Sequence, residues 1–252
     1  MKRELDVEQV KTVEQVGPAW AVVVAAGKGV RMGQPVPKQF LDVAGRPLVA
    51  HTLDALLAHP RIEGAVVAIP RGERQRVEVE VLARLASNKP VKLVSGGACR
   101  AESVKRGLAA LPSRATVVLV HDGARPLVTR ALVDRLLAAV ALHGAAIPAL
   151  PATDTLKLTS RDGFVVRTLD RAEIVCVQTP QAFTRAVLEA AFASAGDELA
   201  SATDCSGLVE RSGAPVAIVA GERENVKVTD PTDLAHVASR LAARPRVVAG
   251  SV

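Results

Sequence analysis

Five short apolar runs, Trp20–Ala25, Gly64–Ile69, Val91–Val94, Thr116–Val120 and Ala145–Leu150, alternate with stretches of helical pattern near Pro47–Ala58, Glu73–Ala86, Arg100–Leu111 and Thr129–Leu142. This alternation constrains the fold more than any other feature. A strand that is apolar on both sides must be covered on both faces, and a helix between two such strands is the crossover that makes them parallel. The pattern predicts an α/β fold, a Rossmann-like, doubly wound, mostly parallel sheet. Right-handed crossovers bring the strand C-termini to one edge, where ligands of such sheets bind.

After Leu150 the rhythm changes. Thr155–Thr159 and Phe164–Leu169 flank Ser160-Arg161-Asp162-Gly163, a hairpin turn signal. This reads as a two-stranded arm inserted at about residues 152–172. An isolated hairpin is marginal in water, so the arm needs a surface, either its own domain or a second copy of the chain. Helices at Thr184–Ala195 and Thr203–Ser212, strands at Pro215–Val219 and Asn225–Val228, and a last helix from Pro231 to about Leu241 complete the pattern. No linker or repeat interrupts it. The expected organisation is an N-terminal extension over 1–17, one domain over 18–245, and a tail over 246–252.

The chain has 252 residues, of which 49% are hydrophobic, enough for a full core. Its apolar runs are broken well short of a membrane span, so no membrane partner is expected. Cys99, Cys176 and Cys205 form an odd set without metal-ligand spacing, which fits a reducing, cytoplasmic compartment. The net charge of +6 suits an anionic ligand. Nucleic acid is not expected: there is no tyrosine, one tryptophan and four phenylalanines for base stacking, and the basic residues form no dense tract.

The first strand runs into Ala25-Ala26-Gly27-Lys28-Gly29-Val30-Arg31-Met32-Gly33, followed by Pro37-Lys38-Gln39-Phe40. Small residues let the backbone approach a ligand closely, and Lys28, Arg31 and Lys38 add positive charge; together they read as a polyphosphate cradle. It is not a Walker A loop, which ends Gly-Lys-Ser/Thr, nor a Rossmann fingerprint, whose third glycine is replaced by Met32. Ser95-Gly96-Gly97 leads to Arg100 and Ser103, either as a plain strand-to-helix turn or as backbone that reads a base edge. His121-Asp122-Gly123-Ala124-Arg125-Pro126 places Asp122 at a strand end, as a magnesium contact, a contact to a substrate hydroxyl, or a turn cap. Lys227 interrupts an apolar strand pattern, and Thr203-Asp204 reads as a helix cap.

In this order the motifs resemble those of the 2-C-methyl-D-erythritol 4-phosphate cytidylyltransferase family, from about Trp20 to Leu241. Asp154-Thr155, Asp170-Arg171, Thr179-Pro180-Gln181 and Asn225-Val226-Lys227-Val228-Thr229 belong to the same set. The resemblance implies a nucleotidyltransferase-type fold whose arm joins a homodimer, and a reaction of CTP with a polyol phosphate in the presence of Mg²⁺. By motif position, Arg31 and Lys38 would stabilise the reacting α-phosphate and the leaving pyrophosphate, and Lys227 would hold the attacking phosphate. Ala25, Ala26, Gly27, Gly29, Gly97 and Ser103 would bind the nucleotide. Asp122, Arg125 and Thr203 would surround the polyol phosphate, while Thr155 and Arg171 would complete the neighbouring subunit's site. The magnesium would be held mainly by CTP, with Asp122 as its one protein contact. Another polyol phosphate, such as ribitol 5-phosphate, and a non-catalytic nucleotide-binding role are the rival readings. The chain departs from the family pattern at Ala98-Cys99 and at Cys205-Ser206-Gly207.

Overall fold

The computed structural model describes residues 17–27 and 36–243, with the side chains of Asp197 and Glu198 left aside. The expectations for residues 1–16, for the tail 246–252, and for Lys28, Gly29 and Arg31 fall outside the described residues.

In chain order the elements begin with β1 (Ala19–Val24), a short ribbon of β2 (Asp42–Val43) and β3 (Arg46–Pro47), α1 (Leu48–Leu57), β4 (Ile62–Ile69) and β5 (Val91–Ser95). They continue with α2 (Arg100–Ala109), β6 (Val117–Asp122), α3 (Arg130–His143) and β7 (Ala145–Pro151). The arm is β8 (Lys157–Thr159) and β9 (Val165–Thr168). The chain ends with β10 (Val175–Val177), β11 (Gln181–Thr184), α4 (Arg185–Ser194), α5 (Ser206–Arg211), β12 (Ala217–Ala220) and α6 (Pro231–Ala242).

Eight strands form the central sheet in the order β10-β7-β11-β6-β1-β4-β5, with β12 paired to β7. β1 pairs in parallel with β4 and β6, and β4 with β5. β10 and β11 run antiparallel to their neighbours. The sheet is covered on both faces, and β1 shows why. Ala19, Ala21 and Val23 pack with α1 and α3, whereas Trp20 and Val22 pack with α2, α4 and α5. A side-chain period of two thus feeds two separate cores. A third cluster, Val43, Leu48, Leu127, Val228 and Val237, seats α6 beside the ribbon. Thr129 caps α3 by accepting from Leu132 N–H at 3.1 Å, and Asp230 and Asp233 form a reciprocal capping box behind Pro231 for α6.

Two glycines are required by close approach. A Cβ on Gly64 would lie 2.5 Å from the Trp20 ring and 2.6 Å from the Pro90 carbonyl oxygen. A Cβ on Gly96 would lie 2.2 Å from that of Ala26. The second contact locks the turn after β5 onto the turn after β1.

Three local expectations need correction. Asn225–Val228 is not a strand. Its backbone is bound elsewhere: the Asn225 carbonyl accepts from Arg125, and Val228 N–H donates to the Ala124 carbonyl. The helix expected over Glu73–Ala86 is broken into Arg74–Arg76, a wider turn at Val77–Val81 and a tighter one at Leu82–Arg84. Alternating β-branched Val77, Val79 and Val81 disfavour regular α-helix, while Val77 and Val81 are buried. The helix expected from Thr203 starts at Ser206.

The connectivity creates a switch point. β1 leads through α1 to β4 on one side, and the crossover through α2 returns from β5 to β6 on the other side of β1. The loops after β1 and β6 therefore part, leaving a crevice at their C-terminal ends. The last paired residues there are Val24 and Asp122.

Candidate active site

A cleft of about 630 Å³ opens at this crevice. Ala25, Ala26 and Gly27 line it from β1, Gly97, Arg100 and Ser103 from the β5–α2 junction, and Asp122 from β6. Lys38 and Gln39 reach it from the turn before the ribbon, and Lys227 from the loop before α6. The volume suits a nucleotide-sized ligand.

Asp122 is the hub. Its Oδ1 accepts from Nε and Nη2 of Arg100, both at 3.3 Å. Its Oδ2 lies 2.9 Å from Lys227 Nζ and 3.7 Å from Arg125 Nε. Burial alone would raise the carboxyl pKa, but the charges of Arg100, Lys227 and Arg125 outweigh it and hold the group well below the ordinary carboxylate range. Asp122 is therefore ionised, and it fixes the positions of three cations.

Lys227 is presented by a loop that is tied down on each side. Arg125 Nη1 donates to the Asn225 carbonyl at 2.6 Å, and Asn225 Nδ2 donates to the Thr179 carbonyl at 2.8 Å. Lys38 Nζ donates to the Val228 carbonyl at 2.9 Å. Arg125 thus faces Asp122 and the loop, where the sequence led us to expect a substrate phosphate beside it. Arg100, to which the sequence reading assigned no role, occupies the cleft. Its legible signals were its place in the motif with Gly96, Gly97 and Ser103 and its position opening a helix three residues after Gly97.

Behind Asp122, a hydrogen-bond chain sets the β6 turn. Asp122 N–H donates to the Thr179 hydroxyl at 3.1 Å, and that hydroxyl donates to His121 Nδ1 at 2.9 Å. His121 Nε2 donates to the Arg125 carbonyl at 3.0 Å. Full burial lowers the His121 pKa from 6.5 to about 4, against the opposing pull of that carbonyl bond. Below pH 6.5 the unfolded histidine takes up a proton that the folded one refuses. Stability is therefore complete above pH 6.5 and falls towards pH 4, by about 3 kcal/mol for a shift of this size. Urea midpoints measured from pH 7 to pH 4 should fall more steeply for the wild type than for His121→Gln; equal slopes would remove His121 as the cause.

The Gly97 turn is held by its own helix. Gly97 N–H donates to Ser103 Oγ at 3.0 Å, and Ala98 N–H donates to a Glu102 carboxylate oxygen at 2.7 Å. Ser103 Oγ donates to the Cys99 carbonyl at 3.0 Å. Ser103 therefore shapes the turn, and its hydroxyl keeps one lone pair for a ligand.

Besides Arg125, three expected site residues do not line the cleft of their own chain. Thr203 is exposed before α5, where Asp204 provides the cap by accepting from Gly207 N–H at 3.0 Å. Thr155 and Arg171 are exposed at the two ends of the arm, and Arg171 Nη1 donates to the Thr153 carbonyl at 2.9 Å.

The donor set does not build a cage for a resident metal ion. Asp122 is the sole carboxylate lining the cleft among the described residues, and both of its oxygens already face cations. No cluster of three His, Cys, Asp or Glu able to hold a metal occurs among the described residues. Asp122 as a magnesium ligand is therefore a poor fit: the ion would have to displace Lys227 or Arg100.

Comparison with known proteins places this geometry among relatives. Residues 19–242 match the family model for 2-C-methyl-D-erythritol 4-phosphate cytidylyltransferase. A protein of that name from Pelotomaculum thermopropionicum is 44% identical over 224 residues, covering 89% of this chain and 94% of the relative. A bifunctional enzyme IspD/IspF from Anaeromyxobacter dehalogenans is 45% identical over 225 residues, covering 88% of this chain but 56% of its own length. Among solved structures, 4-diphosphocytidyl-2C-methyl-D-erythritol synthase from Anaerococcus prevotii aligns with a TM-score of 0.77 at 28% identity, over 90% of this chain and 100% of that one. The 2-C-methyl-D-erythritol 4-phosphate cytidylyltransferase of Thermus thermophilus aligns with a TM-score of 0.69 at 38% identity, over 88% and 98%.

Proposed function

Since the chain belongs to the 2-C-methyl-D-erythritol 4-phosphate cytidylyltransferase family, we propose that its cleft binds CTP and transfers the cytidylyl group to 2-C-methyl-D-erythritol 4-phosphate. The observation that carries this reading is the convergence of Lys38, Arg100 and Lys227 with the Ala25–Gly27 turn on one cleft at the switch point.

The attacking group is a phosphate monoester, already largely dianionic at pH 7 because its second pKa is about 6. No general base is needed. One of its oxygens attacks the α-phosphorus of CTP, the bond to the bridging oxygen breaks, and pyrophosphate leaves with the electron pair. The obstacle is repulsion between two anions, so catalysis consists of positioning and charge neutralisation. Lys227, held by Asp122, receives the attacking phosphate, and Lys38 faces the triphosphate. Arg31 joins Lys38, and Gly29 joins the nucleotide-binding set, by their places in the sequence motif alone. Magnesium belongs to the substrate, arriving with the triphosphate. Three free cysteines fit a reducing, cytoplasmic setting.

The same proposal includes a homodimer. The arm is a separate two-stranded sheet that exposes Leu158 (44%), Phe164 (75%), Val165 (61%) and Val166 (59%). Such a hairpin is not stable alone in water, and a partner subunit covers its apolar residues. Thr155 and Arg171 then enter the partner's site beside the polyol. No described helix is long and apolar enough to cross a membrane.

The test is pyrophosphate release from a matrix of nucleoside triphosphates and polyol phosphates with Mg²⁺. Turnover confined to CTP with 2-C-methyl-D-erythritol 4-phosphate is the expected result. Turnover of ribitol 5-phosphate alone would replace the substrate, and CTP binding without pyrophosphate release would end the catalytic reading. The arm is tested by mixing Lys38→Ala and Arg171→Ala chains, each inactive as a homodimer. If the arm completes the neighbouring site, half of the dimers carry one intact site, and activity returns to about a quarter of wild type by statistical mixing. No recovery from exchanged subunits would place Arg171 in its own chain's site.

A further inference from the structure

Gln39 lies in the short turn Lys38–Phe40, between a cation of the cleft and a core phenylalanine. Both of its neighbours have evident work. Lys38 bonds the Val228 carbonyl, and Phe40 is buried against the first core with Arg76 stacked 4.7 Å from its ring centre. Gln39 is only 2% exposed, yet it lines the cleft beside Lys38 and Gly27. Its Nε2 is buried without a hydrogen-bond partner.

Such an atom is costly. A buried amide that gives up water without gaining an acceptor loses its full desolvation free energy, whereas an apolar side chain of the same shape would lose nothing there. Methionine matches glutamine in length and would fill the turn. A polar amide kept at this cost needs an acceptor that comes from outside the free chain. The cleft supplies the route, because Gln39 already lines it beside Lys38. The neighbouring charge selects the ligand: Lys38 attracts anionic oxygen, and a glutamine N–H beside an ammonium is suited to the same group.

We propose that the Gln39 side-chain amide donates to the β- or γ-phosphate of the bound nucleoside triphosphate. This rests on the proposed function and adds a residue to its triphosphate subsite. The amide is neutral, so it adds direction rather than charge. It orients the tail that becomes pyrophosphate, whereas Lys38 neutralises it.

The test compares wild type, Gln39→Met and Gln39→Glu by calorimetric titration with CTP and with CMP, each with Mg²⁺, together with thermal unfolding of the free proteins. Gln39→Met should be at least as heat-stable as wild type, since it removes an orphan donor. Its CTP affinity should fall roughly ten- to hundredfold, the range for one hydrogen bond to a charged group, and its CMP affinity should be unchanged. Gln39→Glu should lose CTP more severely, because it sets a carboxylate against phosphate. Unchanged CTP affinity in Gln39→Met overturns the proposal, as does an equal loss for CTP and CMP. A lower melting temperature for free Gln39→Met also overturns it, since the amide would then have an interior role. Failure of the wild type to bind CTP would overturn the proposed function itself, so the two failures are distinguishable.

Discussion

Lys38→Ala should lower turnover on the order of a hundredfold or more, with a smaller change in the KM for CTP. Charge that grows on the leaving pyrophosphate is met by donors already fixed in the cleft, and loss of one preorganised donor in such a site costs about 10²–10³ in rate. Lys38 also bonds the Val228 carbonyl, so removing it slackens the loop that carries Lys227. That structural part is worth only about 1 kcal/mol. Lys38→Arg separates the two contributions. It keeps the positive charge and a donor for the carbonyl, so it should recover much of the stability but little of the rate, because a planar guanidinium does not replace a point ammonium. Steady-state kinetics with saturating 2-C-methyl-D-erythritol 4-phosphate decides the matter. A Lys38→Ala enzyme within threefold of wild-type turnover would remove Lys38 from the chemistry.

Asp122→Ala should be the most destabilising substitution in the cleft. It leaves Arg100, Arg125 and Lys227 facing one another with no anion between them. Breaking a buried ion pair by deleting one partner costs about 3–5 kcal/mol, because the remaining charge stays desolvated. Arg100 and Arg125 are mostly buried, so this applies to them more than to the partly exposed Lys227. Asp122→Asn should cost less, since its carboxamide oxygen still accepts from Arg100. Anions should reverse part of the loss. Inorganic phosphate should raise the urea midpoint of Asp122→Ala more than that of wild type, by occupying the vacated charge position. The wild-type carboxylate contributes stability above the unfolded pKa of 3.8, and that contribution disappears as pH falls through the depressed folded value. Asp122 and His121 therefore act in different windows: the histidine weakens the fold from pH 6.5 downwards, and the aspartate only under strong acid. An Asp122→Ala protein as stable as wild type would show that the three cations are solvated independently of the carboxylate.

The strand and helix pattern was legible because it depends on local periodicity. The alternation of Ala19, Ala21 and Val23 with Trp20 and Val22 is a statement about two faces, and both cores obey it. Helix boundaries with side-chain caps were legible too, as at Thr129 and Asp230. The glycine-rich turn after β1, the Gly96-Gly97 turn and Asp122 fell at strand ends, and a parallel sheet with right-handed crossovers can place strand ends only on one edge. Ala25, Gly27, Lys38, Gly97, Ser103, Asp122 and Lys227 accordingly share one cleft.

What the sequence could not decide was how the polar groups are shared out once that edge forms. Asn225–Val228 has the composition of a strand, but its carbonyls and amides find Arg125, Gln178 and Ala124 before any strand does. Arg125 and Arg100 are indistinguishable as letters, yet one ties a loop from behind and the other fills the cleft. Gln39 reads as one more polar residue in a charged turn, and only packing shows that its amide is buried without an acceptor. Periodicity is a property of neighbours along the chain, so the sequence by itself determined the elements and the edge on which they end. Hydrogen bonding and charge pairing join residues about a hundred positions apart, as Arg125 with Asn225 and Asp122 with Lys227, and only the tertiary structure could decide which donor meets which acceptor.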